Sequence, residues 1–341
     1  MRFDRFGCRA ALVLLLAACL PAWAADAPDA ASAERLRKLE AARAAVVGVH
    51  AHSVADARSN DSLGRERQGS GVLIGPDGLV LTIGYLILEA DRVDIAFDDQ
   101  RVLPAAVVAY DVASGFGLLR PLAPVQREPA RLGHSGTIGS EEPLMIASGG
   151  ADGGVSLAQL VSRRDFAGYW EYLIEGALFT APARGDHSGA ALFNVDGELI
   201  GVGSLIVRDA MGPDHPRVAG NMFVPIDLLL PILPELQRNG ASQASTRAWL
   251  GVNSLEHDGT IEVIRVSPDS PAEQAGVRPG DRIVGIDGTP VASLAAFYKA
   301  LWQHGAPERT VRLDVKRADA AVTLTVRTTD RMKTLRRPTG I

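Results

Sequence analysis

A serine in a short turn between apolar segments is the residue of this sequence best suited to chemistry. Ser188 lies in the run GDHSGAALFN at residues 185–194, and an Asp-Gly turn separates this run from a second apolar segment at residues 198–201. A tight turn exposes the serine hydroxyl, and neighbouring backbone N–H groups can face an incoming carbonyl oxygen, as acyl transfer to serine requires. Ser188 is therefore a candidate nucleophile, although a glycine-rich turn in any β protein has a similar composition.

The composition gives no support to metal, cofactor or nucleic-acid chemistry. Seven histidines are scattered through the sequence and its two cysteines are Cys8 and Cys19, so no metal-ligand spacing occurs. No glycine-rich phosphate-binding turn follows a strand-like run, and a net charge of −5 without a basic block does not fit nucleic-acid binding. We therefore expect no cofactor, no metal and no nucleic-acid partner.

Residues 1–24 have the organisation of a signal peptide. Arginines precede an apolar run at residues 10–20, and the segment ends in Ala-Trp-Ala, which predicts cleavage after Ala24. The apolar run is too short to span a membrane. The prediction is export to the periplasm of a mature protein without cysteine. The alternative is a lipid anchor on Cys19, because Leu-Ala-Ala-Cys at residues 16–19 resembles a lipobox.

The remaining sequence divides into segments of different composition. Residues 25–45 contain an Ala/Pro-rich leader and an N-terminal helix, residues 46–236 are rich in short apolar runs, and residues 237–247 form a polar linker. Residues 248–330 have a second pattern of strands with one amphipathic helix, and residues 331–341 are a basic tail that we expect to be disordered. This pattern predicts two folded domains joined by a linker.

Gly, Asp and Pro separate the apolar runs of residues 46–236, which is typical of a mostly β fold built from antiparallel barrels or sandwiches. An apolar helix is predicted at residues 228–236, where the segment ends. The predicted strands are 46–49, 70–74, 79–82, 93–97, 103–110, 116–119, 144–147, 155–161, 172–174, 190–194, 199–206 and 222–224.

Several of these runs resemble the trypsin-like proteases of the HtrA/DegP family. The matching stretches are QGSGVLI at residues 68–74, PDGLVLT at residues 76–82, the Ser188 turn, and GNMFVP at residues 220–225. Their order and spacing agree with the family over the whole of residues 46–236. The resemblance implies two packed six-stranded β-barrels with any active site in the cleft between them.

Two departures from the family pattern affect the catalytic triad. The family has Leu-Thr-Asn-Asn-His-Val where this sequence has LTIGYL, so Tyr85 stands in the position of the general base. The family's aspartate lies in a run like Asp-Leu-Ala-Leu-Leu, and Gly115 occupies that position here. A phenol with a pKa near 10 is protonated at neutral pH and cannot readily take the serine proton. Loss of triad members costs several orders of magnitude in rate, so Ser188 is interpreted as a relic nucleophile in a catalytically degenerate member.

The oxyanion region also departs from the family. Two residues before the nucleophile the family has a glycine whose N–H points into the oxyanion hole, and this position holds Asp186 if the alignment has no gap. The alternative is that His187 is a one-residue insertion, which would lengthen the turn. Both alignments predict weaker stabilisation of negative charge, and the sequence leaves the choice between them open.

Other residues could in principle replace the missing base, but each has a simpler interpretation. His187 adjoins Ser188, and neighbouring side chains usually point apart. Tyr85 is interpreted as an aromatic side chain that fills the cleft, and Asp111 as a turn residue rather than a displaced triad aspartate. The remaining candidates are interpreted as solvated or structural histidines: His50, His52, His134 and His215.

Residues 248–330 resemble the PDZ domains that follow HtrA proteases. The resemblance rests on the run SPAEQAGVRPGDRIV at residues 270–284 and on the WLGV run at residues 249–252. It implies that the C-terminus of a partner adds a strand beside residues 250–253. The backbone N–H groups of the loop at residues 249–251 would receive the carboxylate of that C-terminus. The predicted peptide-binding residues are Trp249, Leu250, Gly251, Val252, Phe297 and Leu301. Core packing is the alternative for the helix residues Leu294, Phe297, Ala300 and Leu301, of which we expect at least one or two to line the groove.

The functional prediction is an exported pseudoprotease with a trypsin-like double barrel and one PDZ domain. It would bind protein C-termini or unfolded exported proteins through the PDZ groove and the barrel cleft, with a homo-oligomer or a hetero-assembly as possible assemblies. One alternative is an active serine endopeptidase of envelope protein quality control that uses Ser188 with a rearranged base. Another is a regulatory partner of an intact HtrA protease.

Overall fold

The computed structural model describes residues 30–139, 141–150, 152–318 and 320–336. The predicted signal peptide and the alternative of a lipid anchor on Cys19 therefore lie outside the described residues. Within them, no helix combines the length and the apolar character that a membrane span needs.

Strands dominate these residues, which confirms the predicted mostly β fold. The helices are α1 Ala30–Ala44, α2 Asn60–Leu63, α3 Leu233–Asn239, α4 Pro271–Gln274 and α5 Leu294–Trp302. The strands of the first domain are β1 Val46–Ser53, β2 Glu66–Leu73, β3 Val80–Ile83, β4 Ala90–Ala96, β5 Val102–Tyr110, β6 Phe116–Pro121, β7 Arg131–Leu132, β8 Pro143–Ala147, β9 Val155–Gly168, β10 Tyr172–Ala181, β11 Ala191–Phe193, β12 Glu198–Val207 and β13 Gly220–Pro225. Those of the second are β14 Ala248–Trp249, β15 Val252–His257, β16 Thr260–Val266, β17 Arg282–Ile286, β18 Thr289–Pro290, β19 Thr310–Arg317, β20 Ala320–Arg327 and β21 Thr329–Asp330.

The first six strands close into a barrel in the order β1-β2-β3-β6-β5-β4. All four residues of β3 are buried, because this strand lies between the barrel interior and the second barrel. A short 3₁₀ turn, Gly84–Leu86, follows β3 directly. The end of β3 therefore carries Tyr85 to the face of the barrel where the two barrels meet.

The second sheet runs β11-β8-β9-β10-β13-β12, and a further pairing of β11 with β12 closes the ring, while β7 joins β12 in parallel. Its apolar side chains pack against those of the first barrel in one continuous core. Strands β9 and β10 are much longer than the predicted runs, and their hairpin extends beyond the barrel.

The segment after the second barrel differs from the prediction of one helix over residues 228–236. A 3₁₀ turn at Ile226–Leu228 and the separate helix α3 replace it. Pro231 lacks an N–H and its ring hinders a continuous helix, whereas Pro234 is tolerated in the first turn of α3. Part of the predicted linker is thus helical, since α3 extends to residue 239.

The second domain contains a six-stranded sheet, in which β15-β16-β17-β19-β20 follow in order and β18 pairs with β17, and α4 and α5 pack against it. The predicted amphipathic helix is confirmed as α5, and Ser293 caps its N-terminus by accepting a hydrogen bond from the Ala296 N–H. Strands β19 and β20 pair as an antiparallel hairpin.

The prediction that the basic tail is disordered is wrong for its described part. Residues Arg331–Thr334 form a 3₁₀ turn. The Arg331 guanidinium donates to the carbonyl oxygens of Trp170 and Glu171 at 2.9 and 3.0 Å, and the Arg336 N–H donates to the Glu89 carboxylate at 2.7 Å. The tail is ordered because its donors find carbonyl and carboxylate acceptors on the first domain.

Candidate active site and peptide groove

The cleft brings Tyr85 and Ser188 together although 103 residues separate them in sequence. The Tyr85 hydroxyl lies 2.7 Å from Ser188 Oγ and 2.8 Å from the Ser204 carbonyl oxygen, and its single hydrogen can be donated to only one of the two at a time. Tyr85 thus occupies the position beside the serine that a general base would need. The serine hydroxyl is held by a phenol and not by an imidazole.

The environment of Tyr85 keeps its hydroxyl protonated. Burial raises the pKa of Tyr85 to about 12, and the hydrogen bond with Ser188 offsets only part of this effect. At pH 7 about one molecule in 100,000 would carry the phenolate, because each pKa unit is a factor of ten. A protonated phenol is a poor acceptor for the proton of a neighbouring serine at neutral pH.

Gly115 leaves no room for a triad aspartate. Its φ of +77° lies in the left-handed region, where residues with a side chain are strained. A Cβ atom at this position would lie 2.7 Å from the Tyr172 hydroxyl, which itself donates to the Ser114 carbonyl oxygen at 2.8 Å. A buried tyrosine from β10 thus fills the space beside the position predicted for the acid. Asp111 accepts from the Ser114 N–H at 2.8 Å and stabilises the turn, as a turn residue would.

Asp186, two residues before the candidate nucleophile in sequence, carries a negative charge that is paired with Arg184. Its carboxylate accepts from Arg184 Nε at 2.8 Å, from a second Arg184 nitrogen and from the Ser148 hydroxyl. The hydrogen bonds from Arg184 hold the pKa of Asp186 at about 2, with Ser148 and the residue's own N–H adding to the effect. The aspartate is ionised at neutral pH, two residues before Ser188.

The turn around Ser188 is anchored on both sides by backbone hydrogen bonds. The Ser188 carbonyl oxygen accepts from the Ser70 N–H at 2.8 Å, and the Gly189 N–H donates to the Gly203 carbonyl oxygen at 2.8 Å. The His187 ring lies against the Arg184 carbonyl oxygen, with Nδ1 at 3.2 Å. His187 therefore interacts with its own turn, and both alignments of the turn stay open.

The other candidate bases have partners elsewhere. His52 lies 3.3 Å from Asp91 and His134 lies 3.1 Å from Asp227, in both cases at exposed positions. His50 is exposed on β1, and His215 lies in the loop before β13. In the described part of the chain, no cluster of His, Cys, Asp or Glu has the arrangement of a metal site.

The predicted carboxylate-binding loop of the second domain contains a carboxylate of this same chain. The Glu171 side chain accepts three backbone hydrogen bonds, from the N–H groups of Leu250 at 2.8 Å, Gly251 at 2.9 Å and Val252 at 3.3 Å. Glu171 is buried, and burial raises its pKa to about 7 although the three N–H donors and Arg331 act in the opposite direction. Sequence reasoning identified the loop and missed its occupant.

The rest of the β9–β10 turn lies against the groove. The Ser254 N–H of β15 donates to the Tyr169 carbonyl oxygen at 2.8 Å, and the Tyr298 hydroxyl of α5 donates to the Gly168 carbonyl oxygen at 2.8 Å. Ala167 and Leu173 pack against the core of the second domain. Phe297 and Leu301 are fully buried in that core, so their assignment as peptide-binding residues stays a prediction.

The only sequence signal for Glu171 is its position in the aromatic run GYWEY, residues 168–172, between two strand-like runs. Such a run at a hairpin turn is too apolar for a solvated loop. A partner for the turn could have been expected on that ground, but its identity depends on tertiary contacts.

Two protein-family models match the chain, in the same order as the two domains. The model of the trypsin-like peptidase domain matches residues 69–202, and the model of the PDZ domain matches residues 248–328.

The chain is also similar to curated relatives and to solved structures that are named as proteases. The serine endoprotease DegS of Haemophilus influenzae is 29% identical over 253 residues, which cover 70% of this chain and 71% of DegS. A probable periplasmic serine endoprotease, DegP-like, of Marinomonas sp. is 27% identical over 299 residues, which cover 78% of this chain and 58% of that protein. The HtrA-type protease AlgW with a decapeptide superposes with a TM-score of 0.55 at 22% identity, covering 89% of this chain and 99% of AlgW. At 22% identity, the similarity to AlgW concerns the fold alone.

The class of protein is thus a trypsin-like peptidase domain followed by a PDZ domain. The domain order and these relatives make the chain similar to proteases of the HtrA/DegP type.

Proposed function

We propose that this chain is an exported HtrA-like pseudoprotease that binds the C-termini of other proteins, or unfolded exported chains, through its PDZ groove and barrel cleft. The observation that carries the proposal is the hydrogen bond of 2.7 Å between Tyr85 and Ser188 Oγ. The proposed export to the periplasm rests on the signal-peptide pattern of residues 1–24 and on relatives that are described as periplasmic.

The absence of peptidase activity follows from the location of the proton at Ser188. A serine hydroxyl becomes nucleophilic when a neighbouring base takes its proton, and Tyr85 at a pKa of about 12 already holds one. Ionising this phenol at pH 7 would cost about 7 kcal/mol, at 1.36 kcal/mol for each pKa unit. That penalty adds to the barrier of every turnover.

An assay with unfolded casein tests the absence of activity. We expect the mature protein and its Ser188→Ala variant to give the same background of casein fragments. Casein cleavage that Ser188→Ala abolishes would contradict the proposal. It would favour the alternative that this chain is an active endopeptidase, as relatives that are named serine endoproteases suggest.

Binding through the PDZ groove is supported by the three loop N–H groups, which converge on one carboxylate. We expect a peptide with a free carboxyl group and an apolar C-terminal residue to bind with micromolar-scale affinity, on the order of −8 kcal/mol. The amidated form of the same peptide should bind more weakly, because the N–H donors lose a charged acceptor. Equal affinities of the two forms, measured by fluorescence anisotropy, would exclude the groove assignment.

A further inference from the structure

The turn between β9 and β10, residues 168–172, is bound in the groove of the second domain in the way that a peptide ligand would be. Peptides that join a sheet edge make main-chain hydrogen bonds with the edge strand. Here the Tyr169 carbonyl oxygen accepts from the Ser254 N–H of β15 at 2.8 Å. Two residues further along, the Glu171 carboxylate accepts from the loop that precedes β15. An internal glutamate thus occupies the position of a terminal carboxylate.

The backbone at this turn is adapted to that position. Glu171 has a φ of +57°, a left-handed conformation that a residue with a long side chain seldom adopts. The Tyr298 hydroxyl, which donates to Gly168, also accepts from the Glu171 N–H at 3.2 Å. Arg331 donates to the Glu171 carbonyl oxygen at 3.0 Å. Both main-chain polar groups of Glu171 are therefore bonded, and its side chain projects into the loop.

We infer that residues 168–172 are an internal ligand of the PDZ groove and that an external C-terminus binds only by displacing them. Two carboxylates cannot share the N–H groups of Leu250, Gly251 and Val252. The inference deepens the proposed function and rests on it, since it concerns how access to the same groove is regulated. It names the occupant of the groove in the unliganded protein, a segment of the first domain.

The consequence for binding is quantitative. The apparent dissociation constant equals the intrinsic constant divided by the fraction of molecules whose groove is open. If about one molecule in a hundred has an open groove, the peptide binds about a hundredfold more weakly than to a free groove. Removing the internal carboxylate should recover much of this factor.

The test compares the full-length mature protein with a Glu171→Asn variant. Asparagine tolerates the left-handed backbone, but its shorter, neutral side chain replaces the carboxylate. The probes are an apolar decapeptide with a free carboxyl group and its amidated form. We expect the free-acid peptide to bind Glu171→Asn at least tenfold more tightly than wild type. Glu175→Gln is the matched control, because Glu175 lies on β10 and pairs with Lys299 at 3.3 Å instead of with the loop. Its affinity should stay within about twofold of wild type, as expected for an exposed ion pair.

A second variant and a second readout guard against misfolding of the first variant. Tyr298→Phe removes the hydroxyl that holds Gly168 and Glu171 while it preserves the aromatic packing, and it should also increase peptide affinity. Hydrogen–deuterium exchange at the amides of residues 250–252 reports release of the turn without any peptide. We expect faster exchange in Glu171→Asn than in wild type or Glu175→Gln.

The outcomes separate the inference from the proposed function. Equal peptide affinity of wild type, Glu171→Asn and Tyr298→Phe, with a preference for the free acid, would overturn the internal ligand and leave the groove function intact. Faster exchange in Glu171→Asn without any peptide binding would support the internal ligand and contradict the groove function. Unchanged exchange at residues 250–252 together with no peptide binding would overturn both.

Discussion

Tyr85 and Tyr172 fill the cleft at the positions where the family has its base and near its acid. Tyr85 donates to Ser188, and Tyr172 lies where a side chain at residue 115 would have to go. Tyr85 places a phenol instead of an imidazole beside Ser188, and Tyr172 occupies the volume that a side chain at residue 115 would need. Restoring a histidine and an aspartate by substitution therefore meets a steric obstacle as well as an electrostatic one.

The steric obstacle at Gly115 can be measured as a difference in stability. We expect Gly115→Ala to lower the free energy of unfolding by about 3 kcal/mol, from left-handed backbone strain plus overpacking. Gly176→Ala is the matched control, because Gly176 on β10 has a φ of +62° and nothing lies within 4 Å of the place that an alanine methyl group would take. It should cost about 1–2 kcal/mol. Urea denaturation of both variants gives the difference that is due to Tyr172.

Tyr172→Phe completes this test. Its hydroxyl is the atom nearest to the Gly115 position, so the double variant with Gly115→Ala should be about 1 kcal/mol more stable than additivity predicts. Strict additivity, or equal costs for Gly115→Ala and Gly176→Ala, would show that the barrel has room for a side chain there.

Rebuilding the triad should not restore activity. We expect Tyr85→His combined with Gly115→Asp to leave casein intact, because Tyr172 obstructs the aspartate and the ionised Asp186 stays near the oxyanion region. Loss of one oxyanion donor alone costs about 3 kcal/mol or more. Adding Asp186→Gly should help if the turn has no insertion, whereas deleting His187 should help if it has one. Robust cleavage by the double variant alone would mean that the oxyanion hole is intact.

At the scale of elements, the β9–β10 hairpin connects the two candidate sites. Consecutive residues of β10 and its turn point to different domains: Glu171 to the loop of the second domain, and Tyr172 to Ser114 of the first barrel. The Gly84 N–H, next to Tyr85, donates to the Gly115 carbonyl oxygen at 2.6 Å. The hairpin is thus in contact with the surroundings of both sites.

Docking of the hairpin should depend on pH. The docked Glu171 has a pKa of about 7, raised by burial from an ordinary value of 4.5, so docking takes up a proton between these values. The docked state is favoured below about pH 5 and loses stability as pH rises to about 7. The groups facing Glu171 do not reverse this sign, since Arg331 is a fixed cation and burial raises the pKa of Tyr298 far from this range.

We therefore expect exchange at residues 250–252, corrected for its intrinsic pH dependence, to accelerate between about pH 5 and 8. The Glu171→Asn variant should lack this dependence. The same corrected slope in both proteins would mean that another group controls the opening.

Most strands could be predicted from the sequence, and their partners across the molecule could not. Alternating and continuous apolar runs indicated most of the strands from β1 to β13 because side-chain burial in a sheet leaves a local pattern. The contact of Glu171 with the loop joins residues about 80 positions apart, and nothing in the local sequence of either partner encodes it. The close approach of Tyr172 to the position that a side chain at residue 115 would take cannot be predicted from the local sequence for the same reason. The replacement of the triad residues, in contrast, is visible in the sequence.

At the scale of the whole molecule, the two domains are held together at both ends of the second domain. The hairpin enters the groove, and the C-terminal segment returns to the first barrel, where the Arg336 N–H meets Glu89. This arrangement leaves the barrel cleft with a tyrosine on its serine and the peptide groove with an internal carboxylate.

The central claim is that Ser188 is not an activated nucleophile, and covalent labelling tests it most directly. The mature protein is incubated with a fluorophosphonate and analysed by intact mass, with Ser188→Ala as the control and an active trypsin-like protease as the positive control for the reagent. We predict no adduct on wild type under conditions that label the active protease completely, because Tyr85 cannot take the serine proton. A stoichiometric adduct that maps to Ser188 and disappears in Ser188→Ala would contradict the claim.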